Sequence, residues 1–241
     1  MKVRLATLGE NPCSYLPGRV SESRALWAEQ IPPEVYHRFM DAGFRRSGKL
    51  LYQPVCRGCR ACVPIRVPVA TFEPTKSQRR CRRRNEDLIV SASEPVATDE
   101  KYELYLRYVT VRHRRDAEEE TREAFERFLY DSPVETVEFS YRHPDGRLLA
   151  VGLCDLSPQS LSSVYFYFDP AESRRGLGTF GVLCEIEAAA RLGIPHYYLG
   201  FWVDGCGAMQ YKSDFGPAEV LQPDGVWRPT DRPARRQLSH K

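Results

Sequence analysis

The stretch between residues 134 and 168 restricts the possible folds of this 241-residue chain more than any other. Residues 134–141 alternate apolar and polar side chains, Pro144, Asp145 and Gly146 make a hairpin turn, and residues 148–156 return along the first strand. Residues 163–168 follow as a third strand of almost unbroken aromatic character. Ahead of these strands, Thr98 with Asp99 and Glu100 reads as a helix start. Two helices reach Tyr130, with Tyr105, Val109, Phe125, Phe128 and Leu129 inward and a charged loop between them. Behind the strands, Asp169 and Pro170 stop the third one. A basic turn through Arg174, Arg175, Gly176 and Gly178 opens a helix over 179–192 that buries Val182, Leu183, Ile186 and Ala189 and ends at Gly193. Residues 196–203 are a buried strand, and a short helix stopped by Pro217 follows. The order predicts an α+β fold, a mixed and mostly antiparallel sheet flanked by helices.

The first hundred residues are less regular. Residues 10–18, dense in turn formers, read as an ordered loop, and Ser21 as the cap of a short amphipathic segment holding Ala25, Leu26 and Trp27. Pro33 opens and Gly43 closes a helix carrying Val35, Tyr36, Phe39 and Met40. A strand is expected at 50–52, an edge strand at 63–72 because of Pro64 and Pro68, and a connector at 89–100. With 42% apolar and 11% aromatic residues the chain can bury a sizeable core, so one integrated unit of two lobes is expected, 1–93 and 94–241. No run approaches the ~20 apolar residues that span a bilayer, and the first residues lack the apolar core of a secretory signal. The expectation is a soluble, cytoplasmic, monomeric protein with no membrane partner.

Net charge is only +3, yet five arginines occupy the six positions 79–84. So sharp a concentration of one sign suits a phosphate backbone. Lys76, Gln78, Arg79, Arg80, Arg82, Arg83, Arg84 and Asn85, with Arg174 and Arg175 of the glycine turn, are therefore the candidate nucleic-acid contacts; the plainer reading is a solvated helix face running on into Glu86 and Asp87. Cys56, Cys59 and Cys62 make two overlapping C-x-x-C spacings, and Cys13 offers a fourth thiol. A tetrahedral metal or an iron–sulfur cluster can use such spacing, but no second C-x-x-C completes a ribbon, so reduced or buried thiols are the favoured reading and no metal ligand is assigned.

The order of elements resembles the acyltransferase (GNAT) fold of the N-acetyltransferase superfamily, in which a glycine turn ahead of the central helix presents backbone N–H groups to a phosphate-bearing acyl donor. More specifically, an ordered set of segments is similar to the aminoacyl-tRNA protein transferase family. It comprises Cys13 and Tyr15, RRSGKLLYQPVC, CRACVPIRV, SQRRCRRRN, YFDP, GLGTFGVLCEIE, YYLGFW and MQYKSDFGP, and extends from about residue 10 to Trp227. The resemblance is to the short bacterial branch, which moves leucine from leucyl-tRNA to proteins beginning with Asp or Glu and so marks them for the N-degron route. The eukaryotic arginyl branch has a Cys where this chain has Leu16 and an adjacent Cys pair where these cysteines are spaced, so the cluster proposed for that branch is not carried over.

An aminoacyl ester is already activated. What the resemblance asks of the protein is to place a neutral amine beside the ester carbonyl and stabilise the oxyanion. Asp169, where the aromatic strand meets the glycine turn, is the candidate proton acceptor, and its plainer reading is a turn-capping carboxylate; Lys212 is the second catalytic candidate. The acceptor's acidic side chain calls for a cation, for which Lys212, Arg46 and Arg66 are candidates. Tyr165, Tyr167, Phe201 and Trp202 are candidates for an apolar leucine pocket. No acidic cluster suits an arginine donor. Arginyl transfer, an acyl-CoA N-acyltransferase and a non-catalytic RNA-binding protein are the alternatives.

Overall fold

The computed structural model describes residues 5–230. The sequence after Trp227 is basic, and most of it lies outside these residues. Two sheets carry the fold. The smaller is antiparallel, in the order β1 (Ala6–Pro12), β2 (Val20–Trp27), β4 (Leu50–Pro54), β3 (Arg45–Ser47). The larger has eight strands, in the order β12 (Trp227–Pro229), β11 (Glu219–Leu221), β5 (Cys62–Pro68), β10 (His196–Val203), β9 (Ser160–Phe168), β8 (Leu148–Ser157), β7 (Thr136–Arg142), β6 (Ile89–Ser93). Every neighbouring pair in it is antiparallel except β9 with β10. Among the described residues six α-helices accompany the sheets: α1 (Pro33–Asp41), α2 (Lys76–Arg84), α3 (Asp99–His113), α4 (Arg122–Leu129), α5 (Leu177–Arg191) and α6 (Gly207–Gln210).

Period-two alternation in the central strands builds two separate cores. Phe166 and Phe168 of β9 pack with Phe180, Leu183 and Ile186 of α5, while Tyr165 and Tyr167, pointing the other way, pack with Leu104, Tyr105 and Val109 of α3 and Phe125 of α4. Both faces of β8 and β9 are covered. This explains why β8 reads as a nearly continuous apolar run and is buried along almost its whole length. The third core lies around α1, where Tyr36 and Met40 meet Leu51 of β4 and Tyr198 of β10.

Where side-chain pattern and local propensity coincide, the structure keeps the sequence reading: Thr98 caps α3 and Gly193 follows α5 in the left-handed region, while Thr121, which the reading left in the charged loop, caps α4. Four expectations are corrected. Of the loop expected over 10–18, residues 10–12 belong instead to strand β1, an exposed ribbon held to β2 through backbone pairing that needs no apolar pattern. Residues 20–27 are strand β2, because Ala25 and Leu26 gain partners in Tyr52 and Leu51 of β4 that outweigh a local cap at Ser21. Residues 89–93 are not a connector but the exposed edge strand β6. Residues 62–68 are not at an edge: β5 lies between β11 and β10. However, β11 reaches only Ile65 and Arg66, so at Pro64 and Pro68 the side of β5 away from β10 has no strand partner, and a missing N–H on that side costs no ladder bond. Because β5 and β6 belong to the large sheet, residues before and after position 93 share one sheet.

Candidate functional site

The parallel pair β9 and β10 is the feature on which the site is built. Pairing holds only for Ser160, Leu161 and Ser162 against His196, Tyr197 and Tyr198, although β9 continues to Phe168 and β10 to Val203. Beyond Ser162 the strands separate and leave a notch in the sheet. β10 bulges at this point, with Leu199 looped out of register and Gly200 at φ +89°. Arg45 of β3 fills the base of the notch. Its Nη1 donates to Ser162 Oγ at 3.0 Å and its Nη2 to the Ser163 carbonyl, and a Cβ on Gly200 would sit 2.9 Å from the guanidinium carbon. Only glycine at 200 admits the arginine there.

Lys212 approaches the same notch from the one-turn 3-10 helix Tyr211–Asp214 that follows α6. Its side chain is buried, and burial together with the charge of Arg45 pushes the ammonium from 10.5 down to about 7. Tyr15 and Tyr52 face Arg45 from the amino-terminal half; burial raises both phenols and the guanidinium opposes the rise. Tyr52 also meets Phe201 edge to face, with ring centroids 6.3 Å apart. Next to the notch, a cleft of ≈ 1140 Å³ opens between the cysteine loop, the half of β5 that β11 leaves uncovered, and β11; Cys62, Phe201 and Ser213 lie on its wall.

The structure brings the arginine run and the glycine turn together, as the sequence reading grouped them. Thr75 and Gln78 form a capping box at the start of α2, an arrangement contributing about 1 kcal/mol. At the other end, Asn85 Nδ2 and Arg84 Nη1 hydrogen-bond the carbonyls of Arg175 and Arg174. Cys81 is buried against Gly176, whose φ of +70° caps α5. The outcome is a single basic ledge at the end of the sheet where β9 and β10 part. Lys76, Arg79, Arg80, Arg83 and Arg174 form its exposed charges. The other five of the grouped residues have other work, Arg84 through its bond to the Arg174 carbonyl. Gln78 is buried and its Nε2 donates to the Asp214 carbonyl at 3.0 Å, fastening α2 to the turn that carries Lys212. Asn85 is fully buried; Arg82 pairs with Glu187 at 2.5 Å; Arg175 pairs with Asp87 at 2.9 Å and Glu172 at 3.0 Å.

Other candidates move further. Arg46 is buried and forms a two-pronged bond to Asp155, at 2.7 and 2.8 Å, so it has no free edge for an acceptor carboxylate. Tyr36 and Thr136 complete that carboxylate's shell. Arg66 pairs with Asp41 and Glu219, both at 2.7 Å, and lies over the ring of Trp227. Asp169 caps the 3-10 turn Pro170–Arg175 by accepting from Ala171 N–H at 2.9 Å and faces Arg107 at 3.8 Å, beside a shallow pocket lined by Leu106 and Val111. The four aromatics do not converge. Tyr167 is fully buried with its hydroxyl on Tyr130, Tyr165 lies beside Tyr108 and Phe128, and only Phe201 and Trp202 share a site, both lining the cleft beside the cysteine loop. Arg45 escapes a reading of the sequence because its neighbour Arg46 looks identical there; β3 sends the two to opposite sides.

The thiols of Cys13, Cys56, Cys59, Cys62 and Cys206 lie near one another, and burial with this mutual repulsion pushes Cys62 up to about 12. Sulfur atoms of Cys13 and Cys56 accept the N–H groups of Leu16 and Glu22, each at 3.4 Å. Among the described residues no group of three or more His, Cys, Asp or Glu side chains is arranged to hold a metal ion. Nor is any helix among them long and apolar enough to cross a membrane.

A basic ledge thus lies beside a notch that holds Arg45 and the buried Lys212, and comparison with known proteins identifies the family. The chain matches the family described as arginine-tRNA-protein transferase, its amino-terminal part over residues 11–80 and its carboxy-terminal part over residues 100–222, and it belongs to that family of enzymes. Within it, the chain is 42% identical over 225 residues to the aspartate/glutamate leucyltransferase of Gluconobacter oxydans, covering 92% of each chain. It is 43% identical over 226 residues to the protein of that name from Stenotrophomonas maltophilia, covering 91% of this chain and 90% of the other. Among solved structures, L-PGS from Bacillus licheniformis aligns with a TM-score of 0.47 and 12% identity over 73% of this chain and 52% of that one, too distant to inform the chemistry.

Proposed function

We propose that this protein moves leucine from leucyl-tRNA to the amino terminus of proteins that begin with Asp or Glu, acting as a cytoplasmic monomer, and that the product enters N-degron degradation. The observation that carries this reading is the end-to-end likeness, at 42–43% identity, to proteins of that name. The fold is read as GNAT-like because β9, the glycine turn, α5 and β10 form a parallel crossover whose strands part where an acyl group would enter.

In the proposed reaction the ledge of Lys76, Arg79, Arg80, Arg83 and Arg174 grips the phosphates of the tRNA acceptor arm, giving affinity that falls with salt. The aminoacyl ester then reaches the notch, with the leucyl side chain against Tyr108, Tyr165 and Tyr211. The nitrogen lone pair of the acceptor's α-amine attacks the ester carbonyl carbon; a C–N bond forms and the C–O bond to the ribose breaks. The amine's proton passes through Lys212, which at about 7 is part neutral in the physiological range, to the departing ribose oxygen. Asp169 then has the role of ordering the turn ahead of α5. A notch containing Arg45 and Lys212 repels a guanidinium, which favours leucine over arginine as the donated residue. The adjoining cleft provides room for the acceptor chain behind its first residue.

The test is incubation with tRNA charged with labelled leucine or arginine and peptides beginning with Asp, Glu or Ala. Label from leucine alone, on the Asp and Glu peptides alone, is the expected result. Label on no peptide overturns the transferase reading; label from arginine alone moves the chain to arginyl transfer.

A further inference from the structure

Three arginines run from the amino-terminal hundred residues into the interior, and two of them end on acids. Arg46 has Asp155, and Arg66 has Asp41 and Glu219. Arg45 is different. Among the described residues no carboxylate lies within 4 Å of it, and its hydrogen-bond partners are a hydroxyl and a carbonyl, both neutral. Of the five N–H donors of a guanidinium, two are used in this way and three remain. Nor is its position accidental. Ser162, fully buried, fixes one nitrogen, the Ser163 carbonyl fixes another, and the missing side chain of Gly200 makes the slot.

A second cation, Lys212, is buried close enough to feel Arg45, again with no carboxylate within 4 Å among the described residues. A buried lysine and a half-buried arginine gathered in one notch without an anion are unfavourable unless an anion arrives with the substrate. Resting on the transferase reading above, we infer that Arg45 is the specificity-determining residue that receives the side-chain carboxylate of the acceptor's first residue. The carboxylate of Asp or Glu lies only a few bonds from the α-nitrogen. A guanidinium held at the base of the notch therefore anchors the acceptor with its amine directed at Lys212. Planar donors match a carboxylate with two parallel bonds, whereas the amide of Asn or Gln brings no charge and presents N–H groups to other donors. Tyr15 and Tyr52, half-buried at the same place, shield the pair from part of the solvent.

The experiment uses the full chain with leucyl-tRNA and matched peptides beginning with Asp, Glu, Asn and Gln, measuring kcat/KM for each together with the Kd for tRNA. In Arg45→Gln, kcat/KM for the Asp and Glu peptides is expected to fall about 100-fold, so that the Asp-to-Asn ratio drops toward one while tRNA affinity stays within about twofold. Arg45→Lys, which keeps a charge but loses the fork, is expected to fall between the two. An unchanged Asp-to-Asn ratio in Arg45→Gln overturns the assignment. So does weakened tRNA binding with that ratio preserved, which would give the guanidinium to a nucleic-acid phosphate. Should Arg45→Gln fail to fold, Ser162→Ala loosens the guanidinium without removing it: a lowered Asp-to-Asn ratio upholds the inference and an unaltered one overturns it. Failure of the unmodified protein to label any peptide sinks the underlying transferase reading, an outcome distinct from each of these.

Discussion

Arg45 and Arg46 show how much is decided by which way a side chain points. Identical and adjacent, one becomes an internal strut on Asp155 and the other lies in the notch, since successive residues of a strand face opposite sides. Lys212 makes the same point through solvation. Its native state binds a proton less readily than the unfolded chain, so the lysine costs stability below about 7, and stability recovers as pH rises from there toward 10.5. Lys212→Met is therefore expected to raise the melting temperature at pH 6 more than at pH 9. It should lower kcat by roughly 10²–10⁴ if the lysine moves the proton, and in the unmodified protein kcat should rise through about pH 7. Glu185 provides the opposite sign. Fully enclosed beneath the sheet and bonded by Tyr197 Oη–H, its carboxyl is raised by burial from 4.5 to about 7. The folded state holds that proton more tightly, so stability is complete below pH 4.5 and is lost as pH climbs to about 7. In Glu185→Gln this slope should vanish, a gain of up to about 3 kcal/mol at pH 8 relative to the parent, read by urea titration across pH.

At the scale of elements, α2 divides its arginines between two tasks. Cys81 and the buried Gln78 and Asn85 hold the helix to α5 and to the turn of Lys212, and the arginines between them face outward. Replacing Arg79, Arg80 and Arg83 with Gln should weaken tRNA binding and reduce the slope of log K against log salt by about 2–3, one for each phosphate no longer neutralised. Arg82→Gln should change the slope less, because Glu187 already neutralises that side chain. Gln78→Ala tests the coupling. It removes the Thr75 N–H to Gln78 Oε1 half of the capping box and the link to the Asp214 carbonyl, so a stability loss of about 1 kcal/mol is expected together with a lower kcat at unchanged tRNA affinity. The run itself was legible in sequence as a charged helix. Its division into outward charges and inward fastenings was not, because the partners at Asp214 and Arg175 lie about ninety residues or more away.

Across the whole molecule, the large sheet joins the two halves. β5, from the first half, lies between β11 and β10 and completes one wall of the cleft, and β6 closes the far edge against β7. A fragment comprising residues 94–241 lacks β5, so β10 loses its antiparallel partner and Ile65 and Val67 leave the main core. Such a fragment is expected to aggregate or remain without a cooperative unfolding transition, as measured by circular dichroism during heating. Adding residues 1–93 in trans should restore both the transition and tRNA binding if the halves reassemble.

By itself the sequence determined the elements whose signals are local. Alternation marked β7, and apolar and aromatic runs marked β8 and β9; a cap opened α3 and a glycine stop closed α5; and the arginine cluster marked a charged helix. These depend on side-chain period and backbone preference within a few residues. Tertiary structure alone decided that exposed ribbons such as β1 and β6 are strands, that Arg45 rather than Arg46 enters the site, and that Asp169 caps a turn while Lys212 is desolvated. Pairing across a sheet, burial and the whereabouts of counter-charges are properties of residues far apart in the chain, and no local pattern encodes them.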